Sequence, residues 1–316
     1  MRPARDIVPS IGLQPIHWAL LALVIAGTVG VPQFRTLANL TNILEQSATL
    51  AVLAIGQSFV IAGGMIDLSV GQLVGLVTVV ACMGFEAWPG MGWAVVLLSL
   101  ALAGGVGLVN GELINRLRMP PLILTFGMLS ILQGCIFLLT DRSVGTVSPA
   151  ISFLATGRVG GVPVSLLLVA AVAFVAWFVL ERSVFGWHLL AMGNSAESSR
   201  RAGLDLRRLT RLAYLASGLC AGIAAMLVAG RLGTGFPNAG NGLELDAIVA
   251  VVLGGMPLKG GKVSIAGVLG AVLLLGVLNN LLNLYQVPAF TQILIKGLIV
   301  IAAILADRPG RRAQPA

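Results

Sequence analysis

The sequence is short of charge. Only 10% of its 316 residues are Asp, Glu, Lys or Arg, where an average soluble domain carries about 25%. A chain this depleted cannot cover a water-facing surface, which argues against one large soluble core and makes lipid the solvent for much of the protein. Histidine is scarce too. His17 and His188 lie far apart, each near the edge of an apolar run, and neither HExxH nor GxSxG occurs. An enzyme embedded in a membrane needs a cluster of acids, bases or metal ligands, and none is written here. The three cysteines, Cys82, Cys135 and Cys220, sit inside apolar runs without metal-ligand or disulfide spacing, so they read as small core residues.

Two glycine-rich stretches fail as nucleotide sites. In GMPLKGGKVS, the pattern GxxxxGK[ST] places its first glycine on Met256 and its last residue on Val263, so this chain is not expected to hydrolyse ATP. GGVGLVNG lies within an apolar helix pattern rather than after a strand. Ionisable residues at mid-membrane, the usual mark of ion-coupled transport, are also few. Asp67, Glu86, Glu112, Glu244 and Asp246 fall near predicted span ends, and only Lys296 lies well inside one, where a lysine can snorkel. The cation-coupled secondary transporter is the alternative of another class, and this distribution disfavours it.

Apolar residues supply 57% of the chain, and the mean hydropathy is +0.97. A span needs about 20 mostly apolar residues. Charge-free windows fall at 16–34, 46–66, 68–85, 87–111, 119–140, 159–180 and 212–230, followed by a short one at 247–258 and a long one at 263–295 that continues to 306 across Lys296. Asn283, Gln286 and Pro288 make a turn that divides the long window. The fold class is therefore all-α, a polytopic membrane protein of about ten spans, with eight to ten defensible. The short segment reads as a half-helix or re-entrant piece, tolerable only if buried in protein. The first run lacks a small-x-small cleavage site and reads as an anchor rather than a removed signal.

Orientation follows the basic residues. With the N-terminus in the cytoplasm, fifteen of the 20 fall inside, only Arg35, Arg142, Arg158 and Arg231 fall outside, and Lys296 lies within a span. This bias accounts for the net charge of +8 without nucleic acid. Residues 1–15 and 307–316 are then cytoplasmic tails around a membrane domain, 16–306. Glycine is abundant, at 40 residues. The pairs Gly71/Gly75, Gly107/Gly111 and Gly218/Gly222 are GxxxG spacings that read as close helix packing within the chain, a contact between copies remaining open.

The longest cytoplasmic segment, about 181–209, carries helix-start chemistry. Asn194 or Ser195 can cap, Glu197 complements the dipole, and Gly203 can end the helix in a left-handed conformation. A short surface helix over SAESSRRA results, read either as a positive-inside anchor or as a knob for a cytoplasmic partner. The spacing Glu197…Gly203 resembles the E-A-A-x-x-x-G element of ABC importer permeases, with Ser198 and Ser199 where that element has alanines. GGMIDLSVGQLVGL (63–76), VNGELINRLRMPPLILTFGML (109–129), the block 243–284 and the C-terminal VPAFTQILIKGLIVIAAILADR resemble the ribose/xylose/galactoside-type permeases, in the expected order over nearly the whole chain.

That resemblance implies a subunit of a bacterial inner-membrane importer for a small sugar. It pairs with a second permease copy or a paralogue, a cytoplasmic ATPase that binds ATP and magnesium, and a periplasmic solute-binding protein. No cofactor is expected in this chain. Other polar solutes carried by such permeases, among them a polyol, a nucleoside, a furanone-like signal or a branched-chain amino acid, stay open. Asn194, Ser195, Glu197, Arg200, Arg201 and Gly203 would form the coupling element. Asp67, Asn110, Asn279 and Asn283 are candidates for the translocation path or a gate, with capping and interhelical bonding as the plainer alternatives. Glu244 and Asp246 are candidate contacts for the binding protein, or caps of the short segment.

Overall fold

The computed structural model describes residues 15–288, 290–295 and 297–298, with side chains from Trp18 onward. The expectations for both terminal tails, for Arg2, Arg5, Lys296, Arg308, Arg311 and Arg312, and for most of the final span lie outside the described residues. Within them the chain is helical, and its one paired strand element is a two-residue hairpin, Arg158–Val159 against Val162–Pro163. The helices with described bounds run in order: α1 Pro15–Gly30, α2 Leu37–Ala62, α3 Val70–Ala87, α4 Gly92–Leu117, α5 Pro121–Leu139, α6 Pro149–Thr156, α7 Val164–Trp177, α8 Val184–Asn194, α9 Ala196–Arg201, α10 Leu206–Leu232, α11 Leu243–Leu253 and α12 Ile265–Leu284, and residues 290–295 are helical as well. Helix α7 continues as a π-turn through Phe178–Arg182.

Seven of these, α2, α3, α4, α5, α7, α10 and α12, are long and apolar enough to cross a membrane, and α1 is a shorter apolar helix. The count of ten crossings is therefore not reached among the described residues. The short segment is a half-helix, α11, of 11 residues, about 16 Å long and too short to span.

Six of these helices start where the sequence supplies an acceptor for the orphan N–H groups of a first turn. Thr36 Oγ1 accepts from Asn39 N at 3.2 Å to begin α2, and Asp205 Oδ1 accepts from Arg208 N at 3.0 Å to begin α10. Ser264 Oγ and Glu181 Oε1 accept from Gly267 N and Ile265 N, both at 3.1 Å, to begin α12. The window at 46–66 misses the first turns of α2 because they hold Asn39, Asn42 and Glu45. Asn39 is stabilised instead by a reciprocal amide pair with Asn280 of α12, at 2.8 and 2.9 Å. The division of the long window is where α12 ends, with Gln286 at φ 54° just before Pro288.

The interior is built on α2, α3 and α10, and the glycine pairs explain how closely these elements approach. A Cβ on Gly107 of α4 would overlap the Tyr214 carbonyl of α10, and one on Gly218 of α10 would overlap the Ala103 carbonyl of α4. Gly111 and Gly222 extend the same seam. Both GxxxG spacings thus pack α4 on α10 within one chain, where backbone contact replaces side-chain filling. Cys82 and Cys220 are buried, as expected of core residues. Cys135 is not, since it sits on the exposed face of α5.

Candidate functional site

At one end of the bundle, α9 stands out as a short, well-bounded knob. Ser195 Oγ accepts from Ser198 N at 3.2 Å, and Ser195, not Asn194, is the cap. At the far end Gly203 adopts φ 82°, while Leu204 N donates to Ser199 O at 3.1 Å and Gly203 N donates to Arg200 O at 3.0 Å. That left-handed closure is what a glycine at this position permits and a β-carbon opposes. Glu197 lies in the first turn and pairs with Arg201 at 3.0 Å and Arg200 at 3.7 Å. All three charged side chains are exposed, and only Ser199 is buried. The structure places Ser195, Glu197, Arg200, Arg201 and Gly203 together on this one short helix and its closing turn.

Asn194 has a different place. It closes α8, and its Nδ2 donates to Leu190 O at 3.1 Å and Gly261 O at 3.5 Å. Gly261 N in turn donates to Ala62 O, the last residue of α2, at 3.1 Å. Gly193 is so close to Ala62 O and Gly261 N that a Cβ there would overlap both, and one on Gly64 would press on Lys259 O. The root of the knob is therefore joined by backbone contact to the end of α2 and to the GGMPLKGG turn. A cleft of about 480 Å³ lies beside it, lined by Phe185, His188, Leu204, Asp205, Arg208 and Leu212 among others.

The end of α2 leads into a break, residues 63–69, held by a buried polar network. Asp67 Oδ1 accepts from Ser69 N at 2.9 Å and Ser69 Oγ at 2.6 Å, and its Oδ2 accepts from Ser217 Oγ of α10 at 3.1 Å. Asn110 Nδ2 of α4 donates to Ser69 Oγ at 2.9 Å. Leu68 N donates to Thr125 Oγ1 of α5 at 3.1 Å, and Tyr214 Oη of α10 donates to Ile66 O at 3.0 Å. These bonds meet the backbone groups that a non-helical stretch inside a helical bundle would otherwise leave unpaired. Asp67 is no helix cap, since α3 begins at Val70 behind Ser69 without a side-chain cap bond. Ser69, Thr125, Tyr214 and Ser217 were not foreseen. Their one sequence signal is that each is polar within an otherwise apolar run.

Helix α12 separates its asparagines. Asn280 is the buried partner of Asn39, whereas Asn283 is exposed and accepts from Gln292 Nε2 at 2.9 Å. Asn279 is half-buried and lines a cavity of about 140 Å³ of mixed character, with Gln46, Ser47, Leu50, Arg231, Leu243 and Asp246 among its other walls. Glu244 departs from its expected role. It is buried, with Oε2 so close to Gly71 of α3 that no Cβ would fit there, and it presents no surface to a binding protein. The half-helix is drawn into the bundle, which carries its first turn inward from the predicted span end.

Residues 39–303 match the family described as branched-chain amino acid transport system / permease component. The chain belongs to this permease family. It is similar to the ribose import permease protein RbsC of Escherichia coli (strain K12), 36% identical over 296 residues that cover 92% of this chain and 91% of that one. The L-arabinose ABC transporter permease protein AraH of Azospirillum brasilense is 36% identical over 308 residues, 95% and 89% of the two chains. The D-allose transport system permease protein AlsC of Escherichia coli (strain K12) is 31% identical over 293 residues, 92% and 90%. No solved structure matches the chain. The permease is thus a multi-pass membrane protein whose break, knob and half-helix lie within the matched region.

Proposed function

We propose that this permease is the membrane subunit of an ATP-driven, binding-protein-dependent importer, carrying a small sugar across a bacterial inner membrane. The observation that carries the reading is α9, a knob fixed at both ends and rooted on the end of α2. A rigid helix of this kind transmits a push from a cytoplasmic partner without absorbing it, and the contacts of Gly193 and Gly261 with Ala62 lead that push to the break at Asp67. ATP and magnesium belong to the partner ATPase, and a periplasmic solute-binding protein delivers the solute. The permease works as a pair, with itself or with a paralogue. Both tails, 1–15 and 307–316, face the cytoplasm, the side on which α9 emerges. The sugar assignment draws on relatives named for ribose, L-arabinose and D-allose.

The test is uptake in proteoliposomes holding the permease with its ATPase and binding protein, comparing labelled ribose, arabinose and leucine. ATP-dependent entry of a sugar, lost with Glu197→Arg while the variant remains folded, is the expected result. Uptake by the permease alone down an ion gradient would overturn the reading in favour of a secondary transporter.

A further inference from the structure

Between α10 and α11 the chain turns back into the bundle. It leaves α10 at Gly233 and runs without helix along α3 to Gly242, the residue preceding α11. Gly235 packs against Val79, where a Cβ would lie 2.9 Å from the Val79 Cα. Gly240 wedges against Gly71 and Gly75, and a Cβ there would overlap the Gly71 carbonyl. Asn241 Oδ1 accepts from Gln72 Nε2 at 2.8 Å. From Val79 to Gly71 is eight residues of helix, about 12 Å of rise, and Val79 itself lies about 12 Å from the Ala87 end of α3. Trp88 and Trp93, 55% and 69% exposed, mark that end as a membrane surface. The segment therefore passes from about 12 to about 24 Å below the surface, through the middle of a hydrocarbon core about 30 Å thick.

At this depth an irregular backbone with open polar side chains is incompatible with lipid, and it persists only inside protein or against water. Here the backbone leans on α3, yet Asn238 and Asn241 are exposed and bonded to each other, Asn241 Nδ2 donating to Asn238 Oδ1 at 3.2 Å. Phe236 beside them is 39% exposed. No ionisable residue occurs from Gly233 to Gly242. We propose that this re-entrant leg lines the aqueous translocation path, with Asn238 and Asn241 as its solute-facing residues. Amides donate and accept at once, as hydroxyl groups do, and an aromatic ring offers a flat apolar face. The set fits a neutral polyhydroxylated solute and offers no charged partner to an anion or a cation. This inference rests on the transport reading above and extends it to particular side chains.

The test is thiol accessibility in the assembled complex with its ATPase and binding protein, reconstituted in liposomes. Cys82, Cys135 and Cys220 are replaced by alanine, and single cysteines are placed by Asn238→Cys, Asn241→Cys, Leu138→Cys and Phe174→Cys. The probe is a charged, membrane-impermeant methanethiosulfonate. A thiol ionises and reacts in water rather than in lipid, so the two re-entrant positions are expected to react at least about tenfold faster than Leu138→Cys and Phe174→Cys. These controls occupy apolar positions on α5 and α7 that are 88% and 64% exposed. In uptake, Asn241→Gln is expected to retain more activity than Asn241→Leu. Reaction as slow as the controls would overturn the inference. So would reaction that appears only after detergent separates the protomers, which would mean that a second copy covers the leg. Because labelling needs no uptake, a complex that labels but moves no sugar counts against the proposed function and leaves the leg's exposure to water intact.

Discussion

Helices α2, α3 and α10 have 83%, 72% and 67% of their most apolar stretches buried, while α4, α5 and α7 have 28%, 22% and 28%. By composition the two groups are alike, both charge-poor and rich in leucine, valine and glycine. They differ in what a glycine does. On α5, a Cβ at Gly127 or Gly134 meets nothing within 4 Å, whereas at Gly71 of α3 or Gly218 of α10 it runs into a neighbouring carbonyl. In lipid, apolarity alone cannot drive one helix onto another, since the tails are as apolar as leucine. Close backbone approach separates the packed trio from α5, while α4 shares it only along the seam where Gly107 and Gly111 meet α10.

That comparison breaks most directly at Gly240. Replacing it with valine forces the Gly71 carbonyl away, and we expect loss of nearly all monodisperse protein in detergent chromatography, with Gly134→Val unchanged. Next comes Asp67→Ala, which strands Ser69 and Ser217 in the interior. A loss of about 1–3 kcal/mol is expected in reversible unfolding, and Ser217→Ala should cost less because Ser69 still serves the carboxylate. The Asn39–Asn280 pair is probed by a double-mutant cycle with alanine at each position, for which a coupling of about 0.6–1.7 kcal/mol is expected. Ser195→Ala should lower stability by only about 0.5–2 kcal/mol, locally at α9. Weakened capture of the ATPase without a change in the bundle's melting point is the measurement that checks it. Smallest of all is Leu138→Ala on the bare face of α5, expected within about 0.5 kcal/mol of the parent protein. A large loss there would show that the face is covered by protein rather than lipid.

The caps and spans were legible because they are local. Ser195, Glu197 and Gly203 lie within nine residues of one another, and the apolar runs give away most of the long helices. The half-helix was also readable from its length, although it spans Leu243–Leu253 rather than 247–258. The polar network was not. Asp67 meets Ser217 across 150 positions, and Asn39 meets Asn280 across 241, separations at which neither periodicity nor capping rules apply. The re-entrant leg left a trace in GTGFPNAGNG (233–242), a run too rich in glycine and asparagine for helix. That run does not reveal that its glycines match Gly71 and Gly75 in width, which is a fact about two surfaces together.

The same leg bears on how the chain is made. Residues 233–264 hold no stretch of twenty apolar residues in helix, so this part cannot partition into a bilayer by itself as it leaves the ribosome and insertion machinery. Its resting place, the groove on α3 between Gly71 and Val79, exists only once α3 and α10 are already side by side. Entry of the leg is therefore a late event in biogenesis, and an immature permease must hold this polar segment at the membrane surface until the groove has formed.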